Sequence, residues 1–225
     1  PPVKIQPRSG LGYQMLALAA LMVDSALQRE LAKLTSALKP SVLEGRGEKL
    51  AQTLRGKVPV VYASTRNSAL AYNWKIKFNE TGKIPAFYNV FPELNHNEMT
   101  GFSADGGPAF GGDVSKEAAA LSRHFHFIFL TDSGDHPQIQ KRMQVTRRLY
   151  EARGLSATEV PLEDTPPPHF SEKVGGAPLG RGDSRLEKIF SSLLIADWTA
   201  LHLSKLYGTE AEQVPMVEQF KKLIS

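Results

Sequence analysis

The chain has 225 residues, a formal net charge of +4 at neutral pH, and 41% hydrophobic and 22% charged residues, which is typical of a globular protein with a full core. The mild positive charge comes without a basic stripe interleaved with aromatic residues, so we expect no nucleic-acid partner. The absence of cysteine excludes disulfides and thiolate zinc sites and fits a cytoplasmic location. The longest apolar run, near Met15 to Val23, is too short to span a membrane, so we expect no membrane partner.

Residues 1–56 are predicted to form a strand, a loop and helices that pack on the sheet of a domain comprising residues 57–225. The pattern predicts an edge strand at 3–5 and helices at 9–22 and 43–54. Ser9 is placed to cap the first of these helices. Another helix, capped by Asp24 or Ser25, presents leucines at helical spacing as far as Leu38.

In the rest of the chain, short apolar runs alternate with helical patterns. Strands are predicted at 58–63, 84–90, 125–130 and 158–162, with helices at 69–79, before 125, at 137–154, from a cap at Asp183 or Ser184 to 207, and at 214–224. Residues 101–116 and 166–182 are rich in Gly or Pro and are predicted to be loops. This alternation indicates an α/β fold, a three-layer sandwich in which helices flank a mainly parallel sheet.

The stretch 73–99 supplies the candidate chemistry. A helix ends near Glu80, a Thr-Gly-Lys turn follows, and a predicted buried strand leads into the polar run Glu93 to Glu98, which contains Asn95 and His96. A single Glu or His is more often a solvated or capping group than a catalytic one. Polar groups packed together directly after a buried strand, however, favour a binding site, and histidine is suited to proton transfer near neutral pH.

These residues, NWKIKFNETGKIPAFYNVFPELNHNEM, closely resemble the core of the bifunctional phosphoglucose/phosphomannose isomerases, which consist of two sugar isomerase (SIS) domains. The resemblance extends to Gln6-Pro7-Arg8 and to the closing helices, around 193–198 and 214–222. It implies the family's C-terminal SIS domain. The family's first SIS domain, with its Ser/Thr-rich loop for the sugar phosphate, has no counterpart in this sequence.

The resemblance implies an aldose–ketose isomerisation of glucose 6-phosphate and fructose 6-phosphate through a cis-enediolate, without metal or cofactor. Glu80 would move the proton between C1 and C2, and Arg8 would stabilise charge on the enediolate oxygens. His96 would assist ring opening in the site of the neighbouring subunit of a homodimer. Lys221 would also assist ring opening, with Lys222 as the alternative, and Arg8, Asn79 and Asn95 would bind the substrate.

Mannose 6-phosphate is the family's second substrate, but its Asp-Pro-Thr-Pro-like segment is replaced here by residues 210–215, which contain no threonine. Activity on glucose 6-phosphate is therefore expected more strongly than activity on mannose 6-phosphate, which stays open as a second substrate. The alternative function is a regulatory SIS domain that binds a sugar phosphate without turnover. A base and a ring-opening group retained together favour the enzyme, because a sensor needs neither.

Three other signals are given structural interpretations. Ser64 and Thr65 follow a strand and are expected to form a strand-to-helix cap rather than a phosphate loop. His124 and His126 are expected to share a strand face, but two histidines without a third ligand do not predict a metal site. Asp197 lies among leucines and is expected to pair with Arg or Lys, or to face a partner subunit.

Overall fold

The computed structural model describes residues 5–104, 115–162 and 185–225. Four strands form one parallel sheet in the order β2-β1-β3-β4. The strands are β1 (Val58–Ser64), β2 (Phe87–Phe91), β3 (Phe125–Thr131) and β4 (Ser156–Pro161). The α/β class and the parallel sheet predicted from the sequence are confirmed.

Nine helices accompany the sheet in the described ranges. They are α1 (Leu11–Leu21), α2 (Ser25–Ala37), α3 (Pro40–Leu54), α4 (Ser68–Glu80), α5 (Leu94–Asn97), α6 (Lys116–Ser122), α7 (Pro137–Ala152), α8 (Arg185–Tyr207) and α9 (Pro215–Ile224). None of these helices is long and apolar enough to cross a membrane.

Alternation along β1 explains the three layers. Val61 and Ala63 pack on one face of the sheet with helices α3, α4 and α8, whereas Val60 and Tyr62 pack on the other face with α7. Successive side chains of a strand point to opposite faces, so a strand that is apolar throughout needs helices on both sides. Helices α1 and α2 contribute Ala19, Leu31 and Leu34 to a separate cluster against the start of α8.

Of the predicted helix caps at Asp24 and Ser9, the first is confirmed and the second was wrong. The Asp24 carboxylate accepts a hydrogen bond from the Leu27 amide at 2.9 Å, so Asp24 caps α2 as predicted. Ser9 does not cap α1. It ends a 3₁₀ turn, Pro7–Ser9. The amide of the next residue, Gly10, bonds the Pro7 carbonyl at 3.0 Å, so α1 begins at Leu11 and not directly after Ser9.

Strand β2 begins three residues later than predicted. Ile84 belongs to the turn that closes α4, because its amide bonds the Phe78 carbonyl at 3.2 Å. The prediction of a fully buried strand was also wrong: within the described sheet β2 is an edge strand, and Phe87 is 54% exposed. The predicted polar loop at 93–98 is largely helical, since α5 occupies Leu94–Asn97.

Some predictions lie outside the described residues. These are the edge strand at 3–5 except for Ile5, the loop at 101–116 between 105 and 114, the loop at 166–182, and the cap at Asp183 or Ser184. His124 lies in the turn before β3, so the prediction that it shares a strand face with His126 was wrong.

Helices α3 and α8 pack closely at Gly47. A Cβ atom at this position would lie 2.4 Å from the Trp198 Cβ and 2.9 Å from the Thr199 amide nitrogen. Gly45, in the same helix, has no neighbouring atom within 4 Å of such a Cβ. One hydrogen bond between the same two helices joins the Trp198 indole N–H to the Pro40 carbonyl at 2.7 Å.

The two glycines give a matched pair of substitutions with opposite effects. Gly47→Ala should lower the free energy of unfolding by about 1–3 kcal/mol, because α8 must move away. Gly45→Ala should raise it by roughly 0.5–1 kcal/mol, because alanine favours the helix and nothing is displaced. Urea denaturation of both variants measures the two effects, and equal values would contradict the close packing.

His126 is a buried histidine at the start of β3. Its side chain is 2% exposed, Nε2 lies 2.9 Å from the Thr158 hydroxyl, and Nδ1 has no partner among the described residues. Burial, helped by the positive charge of Lys57, lowers the pKa of His126 to about 4. The imidazole is therefore neutral in the folded protein at neutral pH.

The free energy of unfolding should fall as the pH drops from about 6.5 to about 4, because His126 binds a proton in the unfolded chain in this range but stays neutral in the folded protein. This loss is on the order of 3 kcal/mol. His126→Gln should remove that component of the pH dependence, measured by urea denaturation across the range. The control is His124→Gln, at an exposed histidine. If this control changed the slope of stability against pH as much as His126→Gln does, the assignment of the slope to His126 would be contradicted.

Candidate active site

The last residue of α4 is Glu80, and the turn after it is tightly fixed. The Thr81 and Gly82 amides both bond the Lys77 carbonyl, at 2.9 and 3.1 Å. Gly82 fits because a Cβ there would lie 2.8 Å from the Phe78 carbonyl oxygen, and Lys83 adopts a positive φ of 57°. The turn therefore places the Glu80 carboxylate, 43% exposed, at the protein surface.

Arg8 lies directly beside Glu80. Its side chain is only 6% exposed, and Nη1 is 3.2 Å from the Glu80 carboxylate. Nε donates to the Thr81 hydroxyl at 2.9 Å, and Nη2 donates to the carbonyls of Ala211 and Glu212 at 3.0 and 2.7 Å. A guanidinium has five N–H donors, so one N–H of Nη1 remains without a partner among the described residues.

A groove of about 740 Å³ opens beside Glu80. One wall is formed by the end of α4 and the turn after it, including Asn79, and the other by residues 209–217, which lead into α9. The Asn79 side-chain amide donates to the Ile84 carbonyl at 2.9 Å and so fixes that wall. This groove is large enough to accept a small substrate next to the carboxylate.

Lys83 was missed by the sequence reasoning, although the Thr-Gly-Lys turn next to Glu80 was a visible signal. Its ammonium donates to the Glu80 carbonyl at 2.5 Å and to the Gln213 carbonyl. Glu210 fixes the same segment by accepting the amides of Glu212 and Gln213, and these hydrogen bonds lower the pKa of Glu210. Lys83 and Arg8 thus tie both walls of the groove together.

His96 lies in α5, directly after β2, and its side chain is exposed. The residues around it are held by the protein itself: the Asn95 amide donates to the Thr146 hydroxyl at 2.8 Å, and the Glu98 carboxylate accepts hydrogen bonds from Tyr62 and Asn89. These contacts fix α5 on the sheet, so His96 projects outward. The structure shows no hydrogen bond or ion pair between His96 and Glu80 of the same chain.

The remaining predicted residues are divided between two places. Asn95 lines a different cavity, between α5 and α7, which shares no residue with the groove beside Glu80. Lys221 is exposed in α9 and pairs with Glu218 at 2.9 Å. It stands four residues after Val217, and Lys222 stands seven residues after Pro215. Both Val217 and Pro215 line the groove, so helical spacing favours neither lysine over the other.

The carboxyl ends of β1 and β3 do not form a phosphate loop. The Ser64 hydroxyl donates to Asp135 at 2.8 Å and accepts the Asn67 amide at 3.3 Å, and the Thr65 hydroxyl donates to the Phe91 carbonyl at 2.9 Å. Burial, with the nearby Asp132, raises the pKa of Asp135. The predicted strand-to-helix cap is confirmed, and both hydroxyls are engaged within the protein.

Asp197 pairs with Lys77, whose side chain is 5% exposed, so the predicted ion pair is confirmed. Partial removal from water raises the pKa of Asp197, and the Lys77 ammonium opposes this shift. The described residues contain no group of three His, Cys, Asp or Glu side chains placed to hold a metal ion.

Comparison with known proteins identifies the family. The family "Bacterial phospho-glucose isomerase C-terminal SIS domain" matches residues 43–169 and 179–224. The chain is 26% identical over 221 residues to a bifunctional phosphoglucose/phosphomannose isomerase of Aquifex aeolicus, covering 98% of this chain and 59% of the relative. A protein of the same description from Caldicellulosiruptor bescii is 27% identical over 238 residues, covering 100% and 61%. The chain thus spans less than two thirds of the length of these relatives.

Solved structures agree on the fold. Glucosamine-6-phosphate deaminase from Thermotoga maritima superposes with a TM-score of 0.55 at 13% identity, over 95% of this chain and 57% of that one. At this identity the likeness concerns the fold alone. Because the family match extends over most of the sequence, the chain belongs to the bacterial phospho-glucose isomerase C-terminal SIS domain family.

Proposed function

We propose that this chain is the catalytic C-terminal SIS domain of a cytoplasmic sugar-phosphate isomerase that interconverts glucose 6-phosphate and fructose 6-phosphate. The observation that carries the proposal is the Glu80 carboxylate held 3.2 Å from the Arg8 guanidinium at the edge of an open groove. The relatives named as phosphoglucose/phosphomannose isomerases support the substrate class. The grip on the phosphate would come from a part of the enzyme beyond this groove.

In the proposed reaction, Glu80 removes the proton from C2 of the open-chain aldose and returns it to C1. The carbonyl at C1 becomes a hydroxyl and the hydroxyl at C2 becomes the carbonyl of the ketose, through a cis-enediolate. In the enediolate, negative charge develops on the oxygens bonded to C1 and C2. Arg8 is almost buried and fixed by four hydrogen bonds, so its charge needs little reorganisation to stabilise that intermediate.

Opening of the sugar ring needs a second proton-transfer group, and His96 is the proposed one. It is exposed, held outward by the contacts of Asn95 and Glu98, and makes no contact with Glu80 of its own chain. A homodimer in which His96 enters the neighbouring subunit's groove accounts for this arrangement. Lys221, about one helical turn after the groove-lining residue Val217, is proposed to assist ring opening.

Glu80→Gln should lower kcat for fructose 6-phosphate to glucose 6-phosphate conversion by roughly 10²–10⁴-fold, because the amide cannot accept the proton. The assay uses the protein at its full natural length. The control is Glu48→Gln, at an exposed glutamate of α3, which should keep wild-type turnover. Equal activity of the Glu80 variant would exclude it as the base, and sugar-phosphate binding without turnover in the wild type would indicate a regulatory domain.

Mixed dimers test whether His96 acts on the neighbouring subunit. Glu80→Gln and His96→Asn should each be nearly inactive alone, but equal amounts refolded together should recover about a quarter of wild-type activity, because half of the dimers then contain one intact site of two. The double variant carrying both substitutions in one chain is the inactive control. No recovery on mixing would show that Glu80 and His96 act within one chain.

A further inference from the structure

The cavity between α5 and α7 has the properties of an anion site. It has a volume of about 330 Å³ and is lined by five polar residues, Asn95, Gln138, Lys141, Arg142 and Thr146, and by two apolar ones. No Asp or Glu contributes to its lining. The groove beside Glu80, by contrast, is lined by two glutamates.

The cavity lies at the edge of the sheet where α/β folds bind ligands. Helix α5 follows the carboxyl end of β2, and α7 follows the carboxyl end of β3, so the cavity is formed by segments that leave the same edge of the parallel sheet. Near the carboxyl ends of β1 and β3, Ser64, Asn67, Asp132 and Asp135 bond one another. The space between α5 and α7 remains open beside them.

Two positive charges at this cavity lack a negative partner. Lys141 and Arg142 make no ion pair within the described part of the chain, whereas Arg8, Lys77 and Arg147 each pair with a carboxylate. Adjacent cations without a counter-charge raise the local potential, and an anion bound between them would relieve their mutual repulsion.

The orientation of Arg142 is fixed by a hydrogen bond to Asn95. Its Nη1 donates to the Asn95 side-chain oxygen at 3.2 Å, and the Asn95 amide donates to the hydroxyl of Thr146, which is 1% exposed, at 2.8 Å. One hydrogen bond of the guanidinium thus holds it in place while its other N–H groups stay available to a ligand. Such a preoriented fork suits the oxygens of a phosphate group.

We propose that the cavity between α5 and α7 binds a phosphate dianion, either inorganic or as the monoester of a small metabolite, through Arg142, Lys141 and Gln138. Three sets of donors from one helix surface match the several oxygens of a phosphate better than the two of a carboxylate. This site is separate from the groove beside Glu80, and its occupation does not depend on the isomerase reaction.

Titration of the full chain with inorganic phosphate, glucose 6-phosphate and unphosphorylated glucose tests the proposal. The amide NMR signals of residues 95, 138, 141, 142 and 146 should shift with both phosphates and not with glucose. The ratio of the two affinities tells whether the free anion or the ester is preferred. Shifts with glucose alone, or no shifts of these residues at millimolar phosphate, would overturn the proposal.

Substitutions on α7 provide the matched comparison. Lys141→Gln should weaken phosphate binding about threefold to tenfold, and Lys141→Gln with Arg142→Gln more than tenfold, because charge-assisted hydrogen bonds are lost. Arg148→Gln, at an exposed arginine of the same helix outside the cavity, should bind like the wild type. Lys141 makes no side-chain hydrogen bond to the described residues, so its variant should fold normally. Unchanged affinity in the double variant, or an equal loss in the Arg148 variant, would contradict the site.

These measurements are independent of turnover. Loss of activity in Glu80→Gln with normal phosphate binding at α7 would support both proposals. An inactive wild type that still shows shifts at residues 141 and 142 would overturn the isomerase function and leave the anion site in place.

Discussion

The arrangement of the candidate site depends on one nearly buried cation. Arg8 has a side chain that is 6% exposed, and a guanidinium removed from water must have its donors satisfied. Four of its five N–H groups are satisfied by Glu80, Thr81 and the carbonyls of residues 211 and 212, which belong to parts of the chain far apart in sequence. The same contacts that satisfy Arg8 therefore set the position of the carboxylate, the turn after α4 and the far wall of the groove.

The polar residues after β2 follow the same physical rule. Helix α5 is a single turn and too short to be stable by itself, so its position has to come from side-chain contacts. Glu98 anchors it to β1 and β2, and Asn95 anchors it to α7. Glu93, His96 and Asn97 are the exposed members of the group, and Asn97 donates a hydrogen bond to Glu93. The ordering of the polar groups after β2 is thus accounted for by the protein's own hydrogen bonds, and His96 takes part in none of those that anchor α5.

The carboxyl edge of the sheet is divided into regions of different charge. Between β1 and β3, Asp132 and Asp135 bond the Ser64 hydroxyl and the Asn67 amide, so these polar groups satisfy one another. On one side of it lies the cavity with Lys141 and Arg142, lined without any acid. The groove beside Glu80 lies near the opposite, amino edge of the sheet, where α4 ends and the chain enters β2. It combines two glutamates, Glu80 and Glu210, with the two fixed cations Arg8 and Lys83. A negatively charged ligand would therefore meet a net positive charge at the cavity between α5 and α7, whereas opposite charges balance in the groove.

The sequence by itself determined the α/β class, the parallel strands and most helix positions, because apolar runs and helical spacing are local signals of burial. It also singled out Arg8, Glu80 and His96, through motifs that resemble a known family. Local patterns could not show that Ile84 closes a turn instead of starting β2, or that β2 lies at the edge of the described sheet, because both depend on contacts with α4 and on strand order. Nor could they show that Arg8 bonds the backbone of residues 211 and 212, or that Asn95 and Glu80 line different cavities. Only the tertiary structure decided these points, since each of them joins residues that are distant in the chain.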